Sequence, residues 1–280
     1  MFARFDFTRP RTIVVAALFI GLLAGLGGAV FHTVATEPRV DDAIAIEEAG
    51  AEADADHATA GGEDDDGDQE VSVSRHDQKG AGLFLAYALT GAAFGLFLAI
   101  TSLSLRTTTG GPFRRVVTSG MVLAGAVTVA PWLKYPPNPP AVGDPSTVGE
   151  RERLYVLCIV LAALVLAGLA HLSGRLRAAG WPDDRRVGVV VAGGLVAFGL
   201  MFGLLPANPD EIGVPANLVW QFRLNSLTGN LLVWTLLTVG LGVVWSESAR
   251  RTAEAPAPAA RAASAGAQNS MPFSADTPAS

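Results

Sequence analysis

The side chains best suited to chemistry lie around the segment FHTVATEP, residues 31–38. His32 supplies an imidazole, Glu37 and Asp41 supply carboxylates, and His76 adds a second imidazole before the next apolar run. Divalent first-row transition metals accept nitrogen and oxygen ligands together. The residue types and their spacing therefore favour a metal site formed by these four side chains. The alternative is a histidine at the membrane interface beside a solvated carboxylate.

Other kinds of chemistry have little support in the sequence. No Asp or Glu lies deep in an apolar run, so neither a carboxylate proton relay nor an aspartyl intramembrane protease is expected. A GxxxxGK[ST] phosphate loop and an HExxH zinc motif are both missing. The single cysteine, Cys158, excludes an internal disulfide, and it is expected to pack with Met201 as ordinary apolar side chains do. We do not expect an enzyme.

Six long apolar runs must position these residues. A run of about 20 apolar residues crosses a hydrocarbon core of roughly 30 Å, and it must be helical because lipid satisfies no backbone groups. The sequence predicts an all-α, polytopic transmembrane helix bundle in a domain of residues 1–250. It has six spans, or five if the first run is a cleaved signal peptide. The spans cover approximately residues 13–33, 81–105, 116–133, 154–172, 187–207 and 224–245.

The basic residues between the runs indicate an orientation. Arginines are concentrated before the first run, between the second and third, between the fourth and fifth, and after the sixth, whereas Arg223 alone lies between the fifth and sixth. Positively charged loops stay cytoplasmic. Both termini are therefore predicted to be cytoplasmic, in a multi-pass protein of the cytoplasmic membrane of the cell.

Two segments differ in composition from the spans. Residues 49–74 are acidic with few large apolar side chains, which predicts a disordered external insert. A weak attraction of cations by its negative field is the alternative role. Residues 251–280 are rich in Ala, Pro and Ser and are predicted to be a disordered cytoplasmic tail.

Two proline-rich stretches lie on the predicted outer side, PWLKYPPNPPAVGDP at 131–145 and LPANPDEIGVPAN at 205–217. Proline fixes φ near about −65° and lacks a backbone donor, so the first stretch is expected to be stiff. Such a loop can cap a pore, dock a partner or brace two helices, and two of them on one side suggest an ordered vestibule. The candidate partner-docking residues are Trp132, Tyr135, Pro136, Pro137, Pro139 and Pro140.

Glycines recur at a four-residue spacing in three of the runs. This spacing places them on one face of a helix, where a neighbouring backbone can approach closely. We expect them to be packing positions, and a face that slides during transport is the alternative. The pairs are Gly21 and Gly25, Gly91 and Gly95, and Gly199 and Gly203.

Four segments together resemble the cobalt transporter subunit CbtA family: FHTVATEPRVDDAIAIEE (31–48), QKGAGLFLAYALTGAAFG (78–95), PWLKYPPNPPAVGDPSTVGER (131–151) and VPANLVWQFRLNSL (214–227). The acidic insert and the tail depart from the family. The resemblance implies a polytopic membrane protein of cobalt uptake, often tied to cobalamin supply. It also implies a partner, CbtB, a short single-span protein with a histidine-rich end.

These observations predict a membrane subunit of an uptake transporter for cobalt, or another divalent transition metal, that moves or gates the ion across the cytoplasmic membrane. The expected partners are a CbtB-like protein, the lipid bilayer and the divalent metal ion, with no nucleic acid. Cobalt is the expected substrate, and no permanently bound cofactor is expected. The alternative is a non-transporting scaffold that docks another membrane protein through the outer proline-rich loops.

Overall fold

A computed structural model describes residues 9–58, 75–104, 110–140, 142–143, 145–208, 210 and 212–254. The regular structure of these residues is entirely helical. Arg75–Asp77 forms a short helical turn, and Pro145–Thr147 forms a 3₁₀ turn. The principal helices are α1 (Pro10–Ala35), α2 (Glu37–Ala58), α3 (Gln78–Ser104), α4 (Pro112–Lys134), α5 (Val148–Ala178), α6 (Asp183–Leu204) and α7 (Ala216–Glu254).

Six of these helices are long and apolar enough to cross a membrane, and the acidic α2 does not belong to them. The predicted all-α bundle with six spans is therefore confirmed. Several helices extend beyond the apolar runs; α5, for example, begins at Val148 rather than near residue 154. Helix α6 ends at Leu204, three residues before the predicted end of its span at 207. It ends there because Leu205 adopts extended angles before Pro206, and proline cannot continue the helix.

The spanning helices alternate in direction, so three connections lie together at one end of the bundle. These are the connections between α1 and α3, between α4 and α5, and between α6 and α7. The Asn225 amide of α7 donates to the Ala35 carbonyl oxygen at the end of α1, at 2.6 Å. The Trp132 indole of α4 donates to the Arg223 carbonyl oxygen, at 2.9 Å. This end, which carries both proline-rich loops, is termed the loop end.

Helices α1 and α3 pack through backbone contact at their glycines. A Cβ atom on Gly21 would strike the carbonyl group of Gly91, and one on Gly95 would strike the carbonyl group of Ala17. Small residues stabilise helix pairs in membranes by allowing this close approach. The packing interpretation is confirmed for these two glycine pairs. The third pair, on α6, has no described atom within 4 Å of its Cβ positions, so it makes no such contact there.

Two apolar cores fill the bundle. The larger lies between α1, α3, α4 and α7 and contains the fully buried side chains of Ile13 and Leu98. The smaller joins α4, α5 and α6 and contains Cys158 and Met201, which pack as ordinary apolar side chains. Many other apolar side chains of α5 and α6 face outwards; Leu195 is 73% exposed. These two helices form the periphery of the bundle, where lipid contact is favourable.

Two spanning helices contain a π-helical turn. In α3 it is the first turn, Gln78–Gly82, where Gly80 departs from helical backbone angles. In α4 it is Gly125–Val129, within the membrane-spanning part. Such turns are rare and occur frequently at functional sites.

The structure differs from the composition-based expectations at two boundaries. Helix α2 continues to Ala58, so the first part of the insert that was expected to be disordered from residue 49 is helical. Helix α7 continues to Glu254, past the expected start of the tail at 251. Alanine, the strongest helix former, makes up half of residues 49–58, and Arg251, Ala253 and Glu254 also favour helix, which accounts for the longer helices. Residues 59–74 and 255–280 lie outside the described residues.

The glycine contact predicts different results for two similar variants. Gly91→Ala places a methyl group against the backbone of Gly21 and pushes α1 from α3, so we expect the free energy of unfolding to fall by about 1–3 kcal/mol. Gly199→Ala is the control: its surroundings are open, and alanine is the better helix former. Thermal unfolding in detergent measures both variants, and equal midpoints would contradict the contact.

Candidate functional site

His32 lies near the end of α1 and is only 4% exposed. Its Nδ1 atom is 2.8 Å from the hydroxyl oxygen of Thr36, and its ring stacks on Tyr87 of α3 with centroids 4.6 Å apart. Its Nε2 atom has no hydrogen-bond partner among the described residues and faces Gly229 of α7, where a Cβ atom would strike the ring. The imidazole is therefore packed between three helices, and its role as a metal ligand stays a prediction.

Glu37 and Asp41, in the first part of α2, pair with basic side chains before and at the start of α3. Arg75 Nη2 lies 2.6 Å from Glu37 Oε2, and Lys79 Nζ lies 2.6 Å from Asp41 Oδ2. The hydrogen bond from Lys79, and then that from Arg75, holds the pKa of Asp41 below its usual range. Because folding lowers the pKa of Asp41, the ion pairs of Asp41 stabilise the fold at neutral pH. This stabilisation is lost as the pH falls through the lowered pKa of Asp41.

The four predicted metal residues are only partly brought together. Glu37 and Asp41 share one cluster with two basic side chains, His32 lies in a helix interface, and the side chain of His76 is outside the described part of the chain. Among the described residues, no group of three or more His, Cys, Asp or Glu side chains is arranged to hold a metal ion. A metal ion at Glu37 and Asp41 has to displace the basic side chains bound there.

The two proline-rich loops are tied to each other. The Tyr135 hydroxyl donates to the Pro206 carbonyl oxygen at 2.8 Å, and Lys134 Nζ donates to the Phe202 carbonyl oxygen at 2.8 Å. Burial raises the pKa of the Tyr135 phenol, so this hydroxyl keeps its donor proton at neutral pH. The first loop was expected to cap a pore, dock a partner or brace two helices. These hydrogen bonds correspond to the bracing of helices.

The candidate docking residues are engaged within the chain. The Arg223 guanidinium donates to Asn138 Oδ1 at 2.7 Å, while the Trp132 indole bonds to the carbonyl oxygen of the same Arg223. A docking role for these positions stays a prediction. All six candidates are buried or half-buried: Trp132, Tyr135, Pro136, Pro137, Pro139 and Pro140.

Asp210 places a buried negative charge between the loops. Its side chain is fully buried and lies 2.9 Å from Arg151 Nη1 of α5, and its second oxygen accepts from the Thr147 hydroxyl at 2.8 Å. Gly143 adopts φ +113°, the left-handed region that favours glycine, and a Cβ atom there would strike the Arg151 guanidinium. The ion pair thereby joins the connection between α6 and α7 to the start of α5.

Sequence reasoning did not single out Asp210 or Arg151. A carboxylate in a stretch crowded with prolines was a partial signal, because a stiff loop can hold a charge in a fixed place. The identity of its partner could not be read locally, because the two residues are 59 positions apart in the chain.

A cavity of about 610 Å³, termed the vestibule, lies between these loops at the loop end. Its wall includes the charged side chains of Arg151, Glu152 and Asp210, with Tyr135 and Tyr155 beside them. The vestibule is therefore a chamber of mostly apolar surface that holds two carboxylates, one of which is paired with the guanidinium.

A second cavity of about 280 Å³, termed the inner cavity, adjoins the vestibule. Pro137 and Tyr155 line both cavities and separate them. The rest of its wall comes from α3, α4, α5 and α7 and includes Val127 and Thr128 of the π-helical turn in α4. The two cavities thus follow one another from the loop end towards the middle of the bundle.

Comparison with protein families identifies the chain. The family described as probable cobalt transporter subunit (CbtA) matches residues 10–246. The chain belongs to the CbtA family. The resemblance of the four segments is confirmed by this match, which reaches all six spanning helices. No curated protein and no solved structure matches the chain.

The CbtA match and the helices agree on the class of protein. Its family consists of probable transporter subunits, and its six apolar helices are those of a multi-pass membrane protein. The matched region contains the vestibule, the inner cavity and Asp210. The two cavities therefore belong to the part of the chain that defines its CbtA membership.

The buried ion pair predicts a loss of stability on removal of one charge. Asp210→Asn leaves Arg151 beside a neutral amide, and we expect the free energy of unfolding to fall by about 1–3 kcal/mol, less than for a fully buried pair because Arg151 is partly exposed. The control Glu247→Gln removes exposed pairs at the other end of the bundle and is expected to leave the midpoint of thermal unfolding nearly unchanged. Equal shifts in thermal unfolding would contradict the bracing role of Asp210.

Proposed function

We propose that this chain is the membrane subunit that moves or gates cobalt, or a related divalent transition metal ion, across the cytoplasmic membrane during uptake. Membership of the CbtA family is the observation that carries this proposal. The spanning helices provide the membrane body, and the adjoining cavities provide room for a hydrated ion. Cobalt is the transported substrate and is not held permanently.

In the proposed orientation both termini are cytoplasmic and the vestibule opens to the outside. The positive-inside rule supports it, because arginines are concentrated at the end opposite the loop end. One of them, Arg115, lies over the ring of Trp245 at 5.6 Å, an arrangement typical of a membrane interface. An outward vestibule suits uptake, since the ion then meets the cavities before the apolar part of the bundle.

Acidic groups at the loop end gather the ion in this proposal. Glu37, Asp41 and His76 are the proposed first contacts, His32 is the proposed buried ligand beside them through its Nε2 atom, and the acidic α2 adds a negative field. Competition with the basic side chains that already pair with the carboxylates keeps such contacts weak. Weak binding favours release, which conduction requires.

A CbtB-like single-span protein is the proposed partner. The spanning helices offer few nitrogen or sulfur ligands at depth, and Cys158 is fully enclosed in an apolar core. A partner with a histidine-rich end, as the family resemblance implies, supplies nitrogen ligands, of which the described spanning helices offer few. The partner is thus proposed to deliver or concentrate the ion at the vestibule.

A scaffold that docks another membrane protein through the proline-rich loops is the alternative. The engagement of those loops within the chain favours transport over docking, because few of their polar groups remain for a partner. A measurement of transport separates the two functions.

The transport function predicts cobalt accumulation by cells. Cells that make this chain with its CbtB-like partner are expected to take up radioactive Co²⁺ faster than cells that make the partner alone, because only the former have a membrane path. Parallel assays with Ni²⁺ and Zn²⁺ measure selectivity. If cells whose membranes contain both proteins take up Co²⁺ no faster than cells with the partner alone, transport is ruled out and the scaffold function remains.

The proposed ligands predict a defect in a double variant. His32→Ala with Glu37→Ala removes an imidazole and a carboxylate from the loop end, and we expect cobalt uptake to fall at least about tenfold at equal protein levels. The matched control His171→Ala removes an exposed imidazole near the other end of α5 and is expected to keep full uptake. Unchanged uptake by the double variant would exclude both residues as ligands.

A further inference from the structure

The inner cavity is lined by neutral oxygen-bearing side chains and aromatic rings. Thr128 of α4 and Ser226 of α7 contribute hydroxyls, Asn230 of α7 contributes an amide, and Tyr155 of α5 contributes a phenol. Its described lining contains no ionisable acid or base other than that phenol. Polar groups within a membrane-spanning bundle are unfavourable unless an occupant satisfies them. A cavity with several of them is therefore suited to water or to a hydrated solute.

The hydrogen bonds of the lining leave oxygens available to an occupant. Asn230 Nδ2 donates to the Ser226 carbonyl oxygen one turn earlier on α7, at 2.9 Å, so the amide is anchored through its nitrogen. The Trp234 indole donates to the Thr128 hydroxyl at 2.9 Å, which fixes that oxygen at the cavity wall. Amide and hydroxyl oxygens accept hydrogen bonds, and the water ligands of a metal cation are strong donors.

The size of the cavity fits a cation that keeps its first shell of water. A volume of about 280 Å³ holds roughly nine waters at ~30 Å³ each. An octahedral divalent ion carries roughly six waters. The cavity therefore has enough volume for the whole aquo ion.

The cavity is bounded differently at its two ends. Towards the loop end, Pro137 and Tyr155 line both this cavity and the vestibule. On the side away from the loop end, Phe94 of its wall stacks on Trp234 with centroids 4.4 Å apart and planes 13° apart, and Trp234 is almost fully buried. The boundary with the vestibule is thus thin, whereas the other boundary is a packed aromatic pair.

We propose that the inner cavity is a binding chamber for an aquo divalent cation, held through its water ligands by the oxygens of Thr128, Ser226 and Asn230. The ion arrives from the vestibule past Tyr155, and the stacked Phe94 and Trp234 close the chamber on the other side. Binding through water is weak enough to permit release. The identity of the ion as cobalt rests on the transport function proposed above, whereas the hydration of the chamber does not.

Cysteine labelling in the full chain tests the chamber. In a Cys158→Ala background, single cysteines are introduced as Ser226→Cys and Asn230→Cys on the cavity side of α7. The control Thr228→Cys lies between them in the sequence but on the opposite, exposed face of the helix. A charged, membrane-impermeant methanethiosulfonate reagent is applied to intact cells and to inside-out vesicles. We expect the cavity cysteines to react more than about tenfold faster than the control, because only a hydrated thiol ionises to the reactive thiolate.

Protection from labelling tests the occupant. Co²⁺ and hexaamminecobalt(III), an exchange-inert ion that resembles an aquo ion and takes no protein ligands, are each expected to slow the reaction of Asn230→Cys and Ser226→Cys several-fold. Protection by Co²⁺ alone would overturn retention of the water ligands, and protection by neither would overturn the cation site. Cavity cysteines that react no faster than Thr228→Cys would overturn the hydrated chamber. Labelling and protection without cobalt uptake would support the chamber and count against the transport function alone.

Discussion

Hydrocarbon offers no partners to polar groups, and this constraint decides where the few polar side chains of the bundle lie. The Trp234 indole meets the Thr128 hydroxyl, and the Asn225 amide meets the carbonyl oxygen of Ala35. Because these bonds join α7 to α4 and to α1, satisfying the polar groups also determines how the helices pack. An exception is Nε2 of His32, which is buried without a described partner. Some of the remaining polar side chains, such as Ser226 and Asn230, line the inner cavity.

Features that depend on local pattern could be predicted from the sequence. The spans followed from uninterrupted apolar runs, because length and composition alone decide whether a helix crosses a bilayer. The glycine faces of α1 and α3 were predicted from their spacing, but not that these two faces meet, since spacing specifies a face and not its neighbour. The same spacing on α6 has no described partner. The carboxylates of Glu37 and Asp41 were predicted to face a metal ion. Their pairing with Arg75, which lies 38 residues beyond Glu37, depends on how α2 meets α3 and has no local signature.

The candidate site depends on contacts between distant segments of the chain. The burial of Asp210 and the two cavities were therefore not predicted from the sequence. An aspartate in a proline-rich loop reads as a solvated charge, and Asp210 becomes buried only because two loops from different parts of the chain close over it. The cavities likewise arise from the packing of several helices, none of which shows a cavity in its own sequence. The stiffness of the loops, by contrast, was predicted from their prolines. Stiff loops tied by a buried ion pair give the vestibule a shape that persists whether or not it is filled.

The π-helical turn of α4 has a mechanical consequence. A π turn holds one residue more than the regular turns around it, so the helix is out of phase by ~100° across Gly125–Val129. When the extra residue migrates along the helix, the stretch between its old and new positions rotates while both helix ends stay where they are. Thr128 lies in that stretch, and its rotation withdraws the hydroxyl from Trp234. A bundle held by the glycine contacts between α1 and α3 and by braced loops at one end can in this way rearrange its interior with a local twist of one helix, without any rocking of whole domains.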